Sequence, residues 1–316
     1  MPKQEAVRIG NFVVIAKQDD LALQKQSSDL LAKGYQIRKT SHFVICRRPD
    51  SERVILLHTF NQQTIDADII CFIENQLSSS LSLSSKTFGA VLFGTLASTF
   101  SCPREQGIIW LQFCLNTLHR LSSLMLQPAL VTTAAISTLS YMTPFAIIYR
   151  RIAELSTGQS LLDVGSSFGF FPILMSELLS IATIIGCDNN RNILSIAMDL
   201  ANEVGSQHIE FMLKDLLATD FETIGQFDTV TAIHLLEHLS EEKMLYAFDH
   251  LLKATRRRLI ISVPYEEQAT LAYGHQQVFT REKLEQWGMW CVEHIEMQGR
   301  FWCEDVMGGL LVIERQ

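Results

Sequence analysis

The chain has 316 residues, of which 47% are hydrophobic and 19% charged, and its net charge is −8. That length and apolar content allow more than one domain with a sizeable core and exclude wholesale disorder. The acidic balance argues against a nucleic-acid surface, which needs a dense Lys/Arg face to neutralise phosphates. The seven cysteines (46, 71, 102, 114, 187, 291 and 303) form no C-x-x-C pair, and several sit in apolar runs. The expectation is buried, reduced thiols in a cytoplasmic protein. The opening "MPKQEAVRIG" is polar and carries no signal-peptide pattern.

In chain order, "NFVVIAK", "HFVICRR" and "RVILLHTF" read as three short β-rich strands. Between the first two, "DDLALQKQSSDLLAKG" has leucines at helical spacing and Gly34 as a stop. "TIDADIICFIENQL" is a further helical candidate, and the Ser-rich "SSSLSLSSK" reads as a connection. Residues 1–86 are therefore expected to form a small α/β unit. Residues 87–156 read as helical with Pro and Ser breaks, and from Thr87 to Tyr149 the only charges are Arg104, Glu105 and Arg120. Pro128 and Pro144 interrupt the apolar run, so no membrane span is expected. This charge-poor region is expected to be a lid or an interface with a partner or second copy.

From residue 157 the pattern changes. "SLLDVG", "IATIIGCD", "IEFMLKD", "FDTVTAIHLL" and "RLIISVP" read as strands. They alternate with the helices "FFPILMSELLS", "NILSIAMDLANEVG" and "SEEKMLYAFDHLLKAT". Continuous apolar strands alternating with helices predict a doubly wound, mostly parallel sheet covered on both faces. "WCVEHIEM" and "VMGGLLVIERQ" are expected to close it as an antiparallel pair, giving seven strands. The "RRR" at 256–258 reads as a solvated helix-to-strand turn.

Ligands of such sheets sit beyond the carboxyl ends of the strands. There the sequence places Asp163, Gly165 and Gly169, then Asp188, then Asp215, then His234, Glu237 and His238, then Tyr265. The turn "GSSFG" is neither G-x-G-x-x-G nor a Walker loop. Carboxylates with few phosphate donors suit a nucleoside cofactor that lacks phosphate and carries positive charge.

As a set, "LLDVGSSFGFF", "IIGCD", "LKD", "FDTVTAIHLLEHL" and "LIISVP" resemble the class I S-adenosylmethionine-dependent methyltransferases over residues 157–316. The resemblance implies that Asp163, Gly165, Ser166, Gly169 and Phe170 border the methionine part of the cofactor. It implies that Asp188 and Asn189 hold the ribose, that Asp215 and Leu216 meet the adenine, and that His234 lies under the sulfonium, S-adenosylhomocysteine being the product. "HLLEHL" and "GHQQVFTRE" also resemble quinone and small-RNA 3′-end O-methyltransferases, in which similar residues hold a divalent ion. Glu237, His238 and His275 match that set, but His234 replaces its first Glu, so a metal is not the favoured expectation. A His/Glu set would suit Zn²⁺ or Fe²⁺ better than Mg²⁺.

The expected reaction is transfer of a methyl group to O or N of a small hydrophobic molecule, with His234, His238 and His275 as candidate bases and Tyr265 and Tyr273 as orienting groups. The alternatives are a protein side-chain methyltransferase docked by residues 1–86 and a non-catalytic cofactor-binding protein. Nucleic acid is the least favoured acceptor. The histidines at 42, 58, 119, 208, 250 and 294 are expected to be structural.

Overall fold

The computed structural model describes residues 6–81, 83–101, 106–127, 140–270, 273–294 and 299–315. Cys102, Arg104, Glu105 and the Pro128 break lie outside the described residues. The chain divides into two compact units, Met1–Arg120 with Ser137–Met142, and Leu121–Ile136 with Thr143–Gln316.

The first unit opens with β1 (Val7–Ile9), β2 (Phe12–Ala16), α1 (Asp20–Ala32), β3 (Gln36–Lys39), β4 (Val44–Arg47) and β5 (Val54–His58). Its sheet runs β1-β2-β5-β4-β3, with β2 and β5 parallel. Asp19 caps α1 by accepting from Ala22 N–H at 2.8 Å. The helix closes around Gly34 with Gly34 N–H to Leu31 C=O and Tyr35 N–H to Leu30 C=O, the reciprocal pair of a C-terminal cap. Leu30, Val44, Cys46, Ile55 and Leu57 form the core beneath α1. The sequence patterns miss β1 and β3. β1 has three residues, and β3 ("QIRK") is a charged edge strand with one apolar residue, the kind that discourages further strand pairing.

Next come α2 (Asp68–Ile73), a wide π turn over Glu74–Ser78, α3 (Ser79–Leu81), α4 (Ser85–Ala97) and α5 (Gln106–Met125). The Ser-rich segment is thus largely helical rather than a plain connection. Ser84 caps α4 through Thr87 N–H, which is why a serine run can start a helix.

The second unit follows with α6 (Met142–Leu155), β6 (Ser160–Val164), α7 (Phe170–Leu178), β7 (Thr183–Asp188), α8 (Arg191–Glu203), β8 (Glu210–Leu213), β9 (Phe227–Ile233), α9 (Met244–Ala254), β10 (Thr255–Val263), α10 (Arg281–His294), β11 (Gly299–Asp305) and β12 (Gly309–Arg315). These strands form one seven-stranded sheet in the order β11-β12-β10-β9-β6-β7-β8. It is parallel from β10 to β8, and β12 runs antiparallel to both neighbours, closing the sheet with a C-terminal hairpin. The chain winds outward from β6 through β7 to β8, then returns to pair β9 on the other side of β6. The switch point therefore lies between β6 and β9.

Leu194, Ala197, Leu200 and Ala201 give α8 its buried stripe, while Ala247, Phe248 and Leu251 do the same for α9. Phe221, Val230, Phe248, Leu259 and Ile261 lie in one continuous core, each such side chain contributing about 1.5–3 kcal/mol on burial. Arg151 of α6 grips Glu304 of β11 with two bonds, 2.7 and 2.9 Å, and Trp302 Nε1 donates to the same carboxylate at 2.9 Å, which pins α6 to the hairpin.

Two expectations about this unit are corrected. "WCVEH" is helical, not a strand: Leu284, Trp287 and Cys291 recur at helical spacing and face the core, and the partner of β12 is "GRFWCED". The three arginines lie inside β10, not in a turn. Arg256 and Arg257 both reach Asp228, at 3.1 and 3.4 Å, and Arg258 pairs with Glu314. No helix among the described residues is long and apolar enough to cross a membrane. Cys46, Cys114, Cys187 and Cys291 are buried free thiols, while Cys71 and Cys303 are partly exposed.

Candidate functional site

β6 ends in a buried Asp163, opposite Thr231 of β9, whose hydroxyl donates to Asp163 Oδ1 at 2.7 Å. Burial pushes the Asp163 carboxyl up to about 7, against the Thr231 hydrogen bond that lowers it. The turn that follows is tied to the end of β7, because Gly165 N–H and Ser166 N–H both donate to Cys187 C=O, at 2.8 and 2.9 Å. Gly165 and Gly169 have φ of 73° and 75°, backbone that favours glycine. A Cβ on Gly165 would meet Leu235 Cδ1 at 2.8 Å, and one on Gly169 would meet Phe211 Cζ at 2.6 Å. Protein side chains thus make the close approaches at both glycines. Between them, Ser167 holds φ of 49° and donates its N–H to Asp188 Oδ2 at 3.0 Å. Ser166 is buried, and Phe170 opens α7 beside Phe168, with ring centres 5.9 Å apart.

Asp188, at the end of β7, also accepts Asn190 N–H at 2.9 Å, and Asn190 in turn caps α8 through Asn192 and Ile193 N–H. A cleft of about 450 Å³ opens here, lined by Asn189, Asn190, Arg191, Asn192, Leu213 and Asp215. Asp215 is exposed and accepts Leu217 N–H at 2.9 Å. Leu216 turns into the core, and its carbonyl is held by His250 Nδ1 at 2.6 Å.

His234 ends β9 at φ of 50°, strained for a non-glycine residue, and its N–H bonds Ser262 C=O at 2.8 Å. Its Nδ1 lies 3.4 Å from Glu237 Oε1, and Phe145 of α6 packs on it with ring centres 5.0 Å apart. Burial drives His234 down to about 4, with the nearby His275 and His238 adding to the effect. Glu237 is 1% exposed, and burial pushes it up to about 8. Both of its oxygens, and His234 Nε2, are buried without a hydrogen-bond partner. Burial also lowers His238.

One potential ligand atom from each of Glu237, His238 and His275 falls within 4.8 Å of the others. The rings of His238 and His275 meet edge to face, 4.9 Å between centres. The two residues after it hold His275 there. Gln276 N–H bonds Glu237 C=O at 2.8 Å, its side chain bonds His238 C=O at 2.6 Å, and Gln277 Nε2 bonds the carbonyls of Leu236 and Leu239. A second cleft, of about 560 Å³, is bordered by Tyr265, Glu266, Phe279, Arg281, Asp305 and Met307. Tyr265 is pushed up to about 12, chiefly by burial, and Tyr273 lies 5.9 Å from the His275 ring.

The carboxyl ends of β6, β7 and β9 thus bring together most of the residues expected from the sequence. Thr231, Phe145 and Glu266 were not among them.

Residues 161–258 match a family described as a methyltransferase domain. Within the second unit, residues 161–258 thus carry a methyltransferase domain. Pavine N-methyltransferase of Thalictrum flavum subsp. glaucum is 26% identical over 97 residues, 31% of this chain and 27% of that protein. The chain therefore spans about a quarter of that relative's length. Among solved structures, the methyltransferase domain of bacterial CtHen1-C is 19% identical, with a TM-score of 0.46, covering 54% of this chain and 97% of that one. Magnesium protoporphyrin IX methyltransferase from Synechocystis PCC 6803, solved with bound SAM, is 20% identical, with a TM-score of 0.41, covering 55% of this chain and 78% of that one.

Proposed function

We propose that this chain moves a methyl group from S-adenosylmethionine to an oxygen or nitrogen of a small acceptor. The observation that carries this reading is the row of carboxylates at successive strand ends of the methyltransferase domain, with the His234 cluster at the next strand end. In this reading Asp163, Gly165, Ser166, Gly169 and Phe170 border the methionine part, Asp188 and Asn189 hold the ribose, and Asp215 borders the adenine, while Leu216, also expected there, packs in the core instead. His234 lies beneath the sulfonium. The acceptor lone pair forms the new bond to the methyl carbon, and the C–S electron pair returns to sulfur, leaving S-adenosylhomocysteine. The acceptor's proton passes to His238 or His275. Holding the partners in line supplies much of the rate, about 7–11 kcal/mol at best, and a positioned base adds about 10²–10⁴-fold.

The second cleft has the size of a small-molecule site, and its carboxylates (Glu266, Glu267 and Asp305) do not suit a nucleic-acid phosphate. α6 with Phe145 serves as the lid. The name of the plant relative also favours a small amine acceptor. A protein acceptor docked by residues 1–86 is the alternative. It predicts that deleting them abolishes turnover on the true acceptor while leaving cofactor binding intact.

A second reading, a divalent ion, is favoured by Glu237, whose buried oxygens lack hydrogen-bond partners beside two imidazoles. Glu237, His238 and His275 would hold it, and the donor set suits Zn²⁺ or Fe²⁺. Such an ion would polarise the acceptor and ease loss of its proton. Activity that survives chelation, with no ion found by elemental analysis, would remove this reading.

Calorimetry with S-adenosylhomocysteine tests the main reading. Micromolar binding without NAD binding is expected, and Asp188→Ala should weaken it about 10–100-fold. No detectable binding to the wild type would sink the proposal.

A further inference from the structure

Glu266 lies on the irregular stretch after β10, which carries no helical or strand periodicity. Its Oε2 is 2.7 Å from His275 Nδ1, and its Oε1 accepts the Thr270 hydroxyl at 2.7 Å. Both oxygens of the Glu266 carboxylate thus face a donor group, the His275 imidazole and the Thr270 hydroxyl. An ionised carboxylate can only accept, so the proton of a neutral His275 sits on Nδ1 and the lone pair on Nε2. From the other side, Gln276 and Gln277 fasten the backbone around His275 to the Leu235–Leu239 turn. The ring is therefore fixed both along the chain and about its own axis.

We propose that Glu266 is the positioning residue of this site, fixing His275 in the Nδ1–H tautomer so that Nε2 is the ring nitrogen left to serve it. The proposal rests on Glu237, His238 and His275 acting as one site. Both roles open to His275, taking a proton from the acceptor or binding an ion, need a lone pair on a defined nitrogen. Thr270 has the supporting part, since its hydroxyl occupies the second carboxylate oxygen and stops Glu266 from turning away. Glu266 also lines the second cleft, so it joins the wall that a small acceptor would touch to the group that would act on it.

The test is long-range proton–nitrogen NMR of the full chain with labelled histidine, the His275 signals being assigned with His275→Gln. The wild type is expected to show His275 as the Nδ1–H tautomer. Glu266→Ala is expected to lose that signature to a mixture containing Nε2–H. Glu266→Gln, whose amide oxygen still accepts, should retain it, a rescue that simple filling of space would not give. An Nε2–H tautomer in the wild type overturns the proposal, as does an unchanged spectrum in Glu266→Ala. Should the Ala variant fail to fold, the wild-type and Gln spectra decide alone. S-adenosylhomocysteine affinity, measured on the same samples, should stay within twofold of wild type. If the wild type binds none, the methyltransferase reading fails while the tautomer result still stands.

Discussion

The two sides of the switch point treat their carboxylates in opposite ways. On the β6–β8 side the carboxylates find their hydrogen-bond partners locally or on a neighbouring strand, while the Ser166 hydroxyl is buried without one. Asp188 accepts from Ser167 and Asn190, Asp215 from Leu217, and Asp163 from Thr231. On the β9–β10 side the groups are drawn from Phe145 to His275, and the Glu237 oxygens and His234 Nε2 are buried without hydrogen-bond partners. A buried, unmade hydrogen bond costs about 1–3 kcal/mol, so this side keeps its arrangement at the expense of stability. The first side is a preformed cradle, whereas the second holds its reactive groups in reserve for what binds there.

Asp163 should show the largest effect, because it is the one fully buried carboxylate of the cradle. Asp163→Ala is expected to weaken S-adenosylhomocysteine binding by about 100-fold or more, roughly 2.7 kcal/mol. Asp163→Asn should also lose binding, yet be more stable than wild type at alkaline pH. The carboxyl titrates near 7 in the fold, against about 3.9 when unfolded. Its stabilising contribution is therefore complete below about pH 4 and is lost as pH rises through 7. Urea unfolding should show the advantage of Asn growing from pH 5 to pH 8, to about 2–4 kcal/mol. An advantage that does not change with pH would mean that burial does not suppress the ionisation of Asp163.

The same contrast decides what could be read from the sequence. The cradle was legible because each carboxylate ends an apolar strand, and because Gly165 and Gly169 mark the turn between them. Asn190 as the cap of α8 fits the same grammar. The other side was only half legible. "HLLEH" announces itself at a strand end, but Glu266 sits on a stretch with no period, and its role exists only through His275. Thr231 read as ordinary strand filler, since nothing in "TVTAI" says which threonine faces an aspartate. Phe145 reaches His234 across 89 positions of sequence, in a helix read as generic and charge-poor. "WCVEH" failed for a related reason: a short run opening on Trp, Cys and Val fits a strand, and only the longer Leu284–Trp287–Cys291 spacing reveals the helix.

If the two sides are separate devices, they should be separable by substitution. His275→Ala is expected to leave S-adenosylhomocysteine affinity within twofold of wild type while weakening Zn²⁺ binding, measured by titration, by at least tenfold. Loss of cofactor affinity comparable to that in Asp163→Ala would show that the cluster is part of the cradle and that the contrast drawn between the two sides is wrong.

The smallest effect should fall at the outer edge of the cradle. Asp215 is exposed and already bonded to Leu217 N–H, and the neighbouring Leu216 faces the core rather than the cleft. A hydrogen bond made in water-accessible surroundings contributes about 0.5–1.5 kcal/mol. Asp215→Ala should therefore weaken S-adenosylhomocysteine less than tenfold, with Asp188→Ala falling between it and Asp163→Ala. That order follows burial, from the centre of the sheet outward to β8. If Asp215→Ala matched Asp163→Ala, burial would not be what grades the cradle, and a direct bond from Asp215 to the cofactor would have to carry affinity that its exposure does not suggest.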